Sequence, residues 1–264
     1  MTSIAQAART VLMTADARAK AAASRAMAAA WGAGALDVAF DVAMPDTPAR
    51  PERPELLPPN RMPKRGRAGS ERSRIALLHA LAHIELNAID LAWDMVGRFG
   101  ADMPRDFLDD WVRVGDEEAV HFGMLADRLA ELGAAYGDLP AHDGLWQAAA
   151  VTSQDFAGRL AVVPQVLEAR GLDVTPATVA RLEAAGDSQS ARILEKIYLD
   201  EIGHVGVGNR WFRWACDSND SSPADEFKRL VRAYFRGDLK PPFNDLARAG
   251  AGMTPDFYQD LSAE

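Results

Sequence analysis

The sequence predicts an all-α protein with a four-helix bundle at its centre. Alanine is abundant and runs of Val, Ile and Thr are few, which favours helix over sheet. Two Glu-x-x-His stretches, Glu118–His121 and Glu201–His204, lie 83 residues apart. A further glutamate, Glu85 or Glu168, stands 33 residues before each stretch. A four-helix bundle is the architecture in which four helices each supply part of such a repeated pattern.

The repeated pattern has the chemistry of a metal site. On an α-helix, Glu and His three residues apart project from one face about one turn apart. Carboxylate oxygen and imidazole nitrogen suit first-row metals such as iron, manganese or zinc. A bundle that holds two metal ions takes one Glu from each of two helices and a Glu-x-x-His from each of the other two. The sequence therefore predicts six metal ligands, namely Glu85, Glu118, His121, Glu168, Glu201 and His204.

Two segments precede the predicted bundle. Residues 1–43 form an N-terminal helical segment with two short helices, the second capped by Thr14 or Asp16. Residues 44–68 form an extended strap or linker, because seven prolines between positions 45 and 63 exclude a helix. The strap closes with a basic cluster of Arg61, Lys64, Arg65 and Arg67. Basic clusters usually face solvent or pair with acids, but this one is the best candidate in the chain for a phosphate contact.

The first two bundle helices are expected early in residues 69–217. The first begins after Gly69, with Ser70 as its cap, and ends near residue 99. The second begins near Pro104, with Asp102 as its cap, and ends near residue 132. The long connection that follows, residues 133–151, is the crossover that joins the two halves of a bundle.

The last two bundle helices complete the predicted core. The third runs from about residue 152 to 170 and is kinked at Pro164, which has no backbone donor. Gly171 and Pro176 then break the helix, and a short helix follows from about residue 177 to 185. The fourth runs from about Ser188 to Cys216, and residues 218–264 form a C-terminal helical extension. Pro164 serves either to bend the helix around the core or to widen a channel to the metals.

Several other residues are secondary candidates. His79 and His83 lie one turn apart on a stripe beside that of Glu85, either as second-shell or surface-pairing histidines or as a separate metal site. Tyr198 is either a core residue or a catalytic phenol that hydrogen-bonds a ligand. Three glycines of the fourth helix indicate close helix packing or, less commonly, access for a small oxidant; they are Gly203, Gly206 and Gly208.

Charge, cysteine content and hydropathy restrict the class of protein. The net charge of −9 favours solubility and argues against a broad nucleic-acid-binding surface. The single cysteine, Cys216, excludes an internal disulfide, fits a reducing compartment and is most simply a packed apolar residue. No apolar run approaches the length needed to span a bilayer, so we expect a cytoplasmic protein with no membrane contact.

A family resemblance covers nearly the whole chain. It is carried by Ala82–Leu86, Asp116–Phe122, Pro140–Trp146, Leu167–Asp173, Asp200–Val205, Met62–Arg65 and Pro242–Asn244. These stretches resemble those of the bacterial ferritin-like family catalogued as a domain of unknown function, DUF455. More distantly, the order of the motifs is similar to that of the di-iron tRNA hydroxylases. The resemblance implies a ferritin-like bundle and the same six metal ligands, but it implies no reaction.

The site chemistry then favours a function. Four carboxylates and two imidazoles around two divalent ions leave a nearly neutral cluster. Zinc prefers fewer ligands than this set provides. We therefore expect two Fe ions, with Mn or a mixed Fe/Mn pair as the alternative. We expect an O₂- or peroxide-dependent oxidoreductase or hydroxylase with a small or macromolecular organic substrate, and a monomer or dimer rather than a cage. Nucleic acid is a possible but less favoured partner. The alternatives are a ferroxidase or iron-handling protein, and a metal-stabilised bundle that binds a partner.

Overall fold

The computed structural model describes residues 2–63 and 69–262. All regular elements within these ranges are helices, ten of them α-helices, which confirms the predicted all-α class. Three residues of the basic cluster, Lys64, Arg65 and Arg67, lie outside the described residues. The chain divides into two compact units, residues 1–146 and 147–264. The four-part division expected from the sequence stays a prediction.

Among its described residues, the first unit contains four complete α-helices. They are α1 (Ile4–Leu12), α2 (Ala17–Gly32), α3 (Glu71–Phe99) and α4 (Arg105–Glu131). Helix α3 packs mainly on α4, while α1 packs on α3 and α2 packs on α4. The caps follow the sequence, because Asp16 and Ser70 accept hydrogen bonds from the first turns of α2 and α3. The predicted cap of α4 was wrong: Asp102 ends a separate 3₁₀ turn, and α4 begins after Pro104 with no side-chain cap.

The proline-rich strap is extended, as its composition predicted. Over its described residues, 44–63, it contains one 3₁₀ turn, Pro59–Arg61, and no longer helix. The backbone of residues 55–57 exchanges two hydrogen bonds with that of Ala141 in the crossover. The Met44 side chain fills the space beside Gly97, where a Cβ atom would overlap it. Residues 44–63 are therefore an ordered part of this unit.

Helix α3 is long and apolar enough to cross a membrane by length and composition alone. However, 67% of its most apolar stretch is buried inside the protein. It also carries buried polar residues, including Asp90 and Asp94, that contact cations of the same unit. These features are those of a buried core helix.

The second unit contains the remaining helices. They are α5 (Gly144–Val151), which begins in the last residues of the first unit, α6 (Phe156–Val162), α7 (Ala169–Ala184), α8 (Ser188–Ser218), α9 (Pro223–Tyr234) and α10 (Asp245–Gly250). A π turn, Val163–Glu168, joins α6 to α7 without a break. Helix α8 packs on α6, on the π turn and on α7. It ends two residues beyond the predicted Cys216.

The third predicted helix differs from the structure in two ways. It begins at Phe156, where Asp155 is the cap, and its expected kink at Pro164 takes the form of the π turn. The expected break at Gly171 and Pro176 was wrong, because α7 continues through both residues to Ala184. A proline within a helix leaves the carbonyl four residues earlier without its donor. Here the side-chain amide of Asn244 donates to the carbonyl oxygen of Leu172. Sequence periodicity cannot predict a contact between residues so far apart in the chain.

Candidate metal centre

The first unit brings three of the predicted ligands together. Glu85 lies on the buried face of α3, whereas Glu118 and His121 lie one turn apart on the buried face of α4. All three side chains are at most 5% exposed. The His121 Nδ1 atom lies 3.4 Å from Glu85 Oε2 and 3.4 Å from Glu118 Oε2. The extensive packing of α3 on α4 therefore holds two carboxylates against one imidazole.

The second unit holds the other Glu-x-x-His pair in the same arrangement. Glu201 and His204 lie on α8, and the His204 Nδ1 atom is 3.4 Å from Glu201 Oε1. His204 is buried and Glu201 is half-buried. Glu168 is the last residue of the π turn, on the segment that packs against α8. Each unit thus supplies one glutamate from one helical segment and a Glu-x-x-His pair from the next.

These spacings fit metal ligands. Two ligands that each lie about 2.1 Å from one ion are about 3.0–3.4 Å apart at the angles that are common around a metal. All three Glu–His contacts are 3.4 Å long and lie within this range. Glu118, His121, Glu201 and His204 offer ligand atoms of the kind that could hold a metal ion. The structure therefore contains buried Glu/His clusters suited to a metal, and their assignment as six ligands stays a prediction.

Burial and proximity perturb the titration of the first cluster. Burial raises the pKa of Glu85 well above its usual value, and the negative charge of Glu118 raises it further. Burial would lower the pKa of His121, but its contacts with Glu118 and Glu85 dominate and raise it to about 11. In the metal-free protein the cluster therefore retains protons that a bound cation would displace.

The glycines of α8 have different surroundings. A Cβ atom at Gly208 would lie 2.5 Å from Pro164, so α8 meets the π turn at this point because no side chain intervenes. A Cβ at Gly206 would contact Ala251, and one at Gly203 would meet nothing within 4 Å. Close packing therefore explains Gly208, but it does not explain Gly206, where a Cβ would make an ordinary contact, or Gly203.

Tyr198 contacts the C-terminal segment of its own unit. Its hydroxyl oxygen accepts a hydrogen bond of 3.0 Å from Asn244 Nδ2. The catalytic role of Tyr198 stays a prediction. Cys216 is buried, as expected for a packed residue, and burial raises the pKa of its thiol.

His79 and His83 are buried rather than surface-pairing. The His83 Nε2 atom lies 3.2 Å from the carbonyl oxygen of His142, which can only accept, so Nε2 donates and Nδ1 accepts from the Tyr136 hydroxyl at 2.9 Å. His79 Nε2 accepts from the backbone N–H of Gly137 at 2.9 Å. Among the described residues, neither histidine belongs to a group that could hold an ion. Their bonds instead attach the crossover to α3.

The stripe beyond His83 contains a buried ionic network that the sequence did not reveal. Lys20 of α2 forms an ion pair with Asp90 of α3, and both side chains are fully buried. Arg50 of the strap lies 3.3 Å from the same carboxylate and 2.9 Å from Asp143. Asp90 lies seven residues after His83 on the same helix. Helix periodicity does not identify its partners, because they come from an alanine-rich helix and a proline-rich segment.

Comparison with known proteins gives one family and one relative. A family model described as "Protein of unknown function (DUF455)" matches residues 13–259. An uncharacterized protein of Haemophilus influenzae is 41% identical over 212 residues, which cover 78% of this chain and 73% of that protein. No solved structure matches the chain significantly.

Proposed function

Because the chain belongs to DUF455, a family of unknown function, we propose a function from the candidate site itself. The protein is a di-iron carboxylate oxidoreductase that uses O₂ or peroxide to oxidise or hydroxylate an organic substrate. It acts in the cytoplasm as a monomer or dimer.

One observation carries this proposal. Each unit contains a Glu-x-x-His pair with a Glu–His separation of 3.4 Å, and in each the histidine is buried. We infer that the two clusters belong to one centre with two ions. Glu85, Glu118 and His121 would hold one half of it, and Glu168, Glu201 and His204 the other. Two similar half-sites within one chain are what a two-metal bundle requires.

The donor set favours iron or manganese over zinc. Four carboxylates and two imidazoles are hard or borderline donors, whereas structural zinc sites commonly use thiolates in tetrahedral geometry. The only cysteine, Cys216, lies twelve residues beyond His204, or more than three turns along α8. When bound, a pair of redox-active ions would supply the one- and two-electron chemistry that O₂ or peroxide requires.

The protein residues would set the ligand geometry and exclude water. Glu118 and His121 are held on one helix face, where rotation of either side chain is limited by packing. Phe122 and Leu125 follow His121 within little more than one turn of α4, and both are at most 1% exposed. Leu86 and Ile89 of α3 are fully buried. The side chains of Glu85, Glu118 and His121 are themselves at most 5% exposed, so this cluster has little access to solvent, which strengthens electrostatic interactions with a bound cation.

Metal analysis with matched variants tests the proposal. Protein purified without added metal should contain iron or manganese, and Glu118→Ala should lose most of it. Glu117→Ala is the control, because its side chain projects about 100° away on the same helix and contacts Arg113. The reduced protein should then consume O₂ and change its optical spectrum.

Three results would contradict parts of the proposal. Absence of both metals, or an unchanged metal content in Glu118→Ala, would remove the metal centre. Accumulation of many iron atoms per chain in a hollow oligomer would favour iron storage. Loss of stability on metal removal, with no O₂ consumption by the reduced protein, would favour a structural metal.

A tRNA or other RNA substrate would require binding that weakens as salt concentration rises.

A further inference from the structure

We propose that the second unit contains a binding site for a small organic monocarboxylate. The site is a pocket of about 210 Å³ that lies against the π turn, α7 and the chain after α9. Its apolar wall includes Val166, Phe235 and Leu239, and its charged wall includes Lys240 and Arg248. All the residues that line this pocket belong to the second unit.

Arg248 is held rigidly at this pocket. Its side chain is 3% exposed. Its Nε atom donates to Asp173 Oδ1 at 2.8 Å, and its Nη2 atom donates to Asp173 Oδ2 at 2.7 Å. The guanidinium carbon lies 5.0 Å from the centre of the Phe243 ring and 4.6 Å from that of Tyr258. The fork on the carboxylate and the two rings together fix the orientation of the guanidinium.

One nitrogen of this guanidinium has an unused donor. Within residues 2–63 and 69–262, the Nη1 atom of Arg248 makes no hydrogen bond and is closed to solvent. Asp173 cannot supply the acceptor, because each of its oxygens already accepts two hydrogen bonds. The Arg248 side chain lines the pocket, so its positive charge attracts an anion there.

The charge and size of the pocket define the class of anion. Arg170, Lys240 and Arg248 carry three positive charges and Asp173 and Asp238 carry two negative charges, which leaves a net charge of +1 (3 − 2). A monoanion balances this charge, whereas a phosphate dianion would exceed it. The volume lies below the roughly 300–1,000 Å³ of pockets for drug-sized ligands. The apolar wall suits a short hydrocarbon body, so a small monocarboxylate combines all the required properties.

The wall beside this pocket is ordered by a second arginine. Arg170 Nη1 donates to the carbonyl oxygens of Lys240 at 2.5 Å and Pro242 at 3.3 Å. These bonds attach the chain after α9 to α7, and so they place Lys240 at the pocket. The pocket also includes Leu167, which directly precedes Glu168. The inference does not depend on the proposed function, because a metal-free protein has the same charged and apolar walls.

Calorimetric titration of the full chain with hexanoate tests this proposal. Hexanamide, which has the same shape but no charge, is the matched probe, and acetate and inorganic phosphate test the apolar and charge requirements. Hexanoate should bind saturably and about tenfold or more tightly than hexanamide or acetate, since loss of a charge-assisted hydrogen bond or of apolar contact weakens binding.

Two exposed positions provide the variants. Lys240→Glu reverses a charge of the pocket and should weaken hexanoate binding by about tenfold or more. Arg236→Glu makes the same charge change four residues away, outside the pocket, and should leave the affinity within about twofold. Arg248→Met removes a second positive charge and should also weaken binding, and circular dichroism will show whether that variant folds. If the Arg248 variant does not fold, the comparison of Lys240→Glu with Arg236→Glu tests the proposal.

Four outcomes would overturn the proposal. They are no saturable binding of hexanoate, equal binding of hexanoate and hexanamide, binding of phosphate alone, and equal hexanoate affinity in Lys240→Glu and Arg236→Glu. Because each titration can be done on metal-free protein, failure of this site and failure of the metal centre are separate results.

Discussion

The side-chain amide of Asn244 donates a hydrogen bond to the carbonyl oxygen of Leu172, 3.1 Å away. Leu172 stands four residues before Pro176, so this bond replaces the one that the proline cannot make. Asn244 also caps α10 by accepting from the Ala247 N–H. One side chain thus stabilises two helices that are far apart in sequence.

We expect Asn244→Ala to lower the free energy of unfolding by about 1–3 kcal/mol, because it leaves a helical carbonyl without a donor and removes a cap. In a Pro176→Ala background the backbone N–H at position 176 can bond Leu172 directly. The cost of Asn244→Ala should therefore be smaller there, as urea denaturation of the four proteins of a double-mutant cycle will measure. Equal costs in both backgrounds would show that the Leu172 bond contributes little.

Two glycines on α8 should respond oppositely to alanine. Gly208→Ala places a Cβ 2.5 Å from Pro164 and should destabilise the protein by about 1–3 kcal/mol through overpacking. Gly203→Ala meets nothing within 4 Å and should stabilise the helix by up to about 1 kcal/mol. Thermal denaturation of metal-free samples compares the two. A stable Gly208→Ala variant would contradict the close contact between α8 and the π turn.

The buried pair of Lys20 and Asp90 should be far more sensitive than an exposed pair. Lys20→Met leaves a fully buried carboxylate with Arg50 as its remaining cation and should cost about 3–5 kcal/mol. Arg18→Met, on the same helix, removes an exposed pair with Asp127 and should cost at most about 1 kcal/mol. Chemical denaturation measures both, and similar costs would indicate that the buried pair contributes little net stability.

Acidification should destabilise the protein partly through His79. Burial lowers the pKa of this imidazole below its usual value of 6.5. As pH falls below about 6.5, the unfolded chain binds a proton that the folded chain does not, so stability falls by at most about 1.4 kcal/mol per pH unit from this group. His79→Gln should be less stable at pH 7 but should lose less stability between pH 7 and 5. Parallel pH profiles would exclude His79 as the cause.

The sequence predicted those features that arise within one helix. The 3.6-residue period placed Glu118 beside His121, and the capping preference of serine placed the start of α3 after Ser70. The fold class followed from the same local rules. Within the first unit, the contact between Glu85 and His121 was predicted from the 33-residue spacing of Glu85 and Glu118 and not from local helix preferences.

Tertiary contacts account for the features that were not predicted. A proline usually ends a helix, and at Pro176 the distant Asn244 supplies the donor that the proline lacks. Likewise, nothing local identifies Lys20 as a buried cation, because lysine in an alanine-rich helix normally faces solvent. The orientation of the Arg248 guanidinium depends on the position of Asp173, which is 75 residues away.

The π turn also determines how this segment tolerates changes in length. A π turn contains one more residue than an α-helical turn of the same extent, so it behaves as a one-residue insertion within a continuous helix. Deletion of a single residue between Val163 and Glu168 would therefore restore a regular α-helix and leave the rotation of α6 relative to α7 nearly unchanged. Leu160, which is fully buried, would keep its packing position. Relatives should therefore accept a one-residue gap in this segment more readily than in the middle of α7.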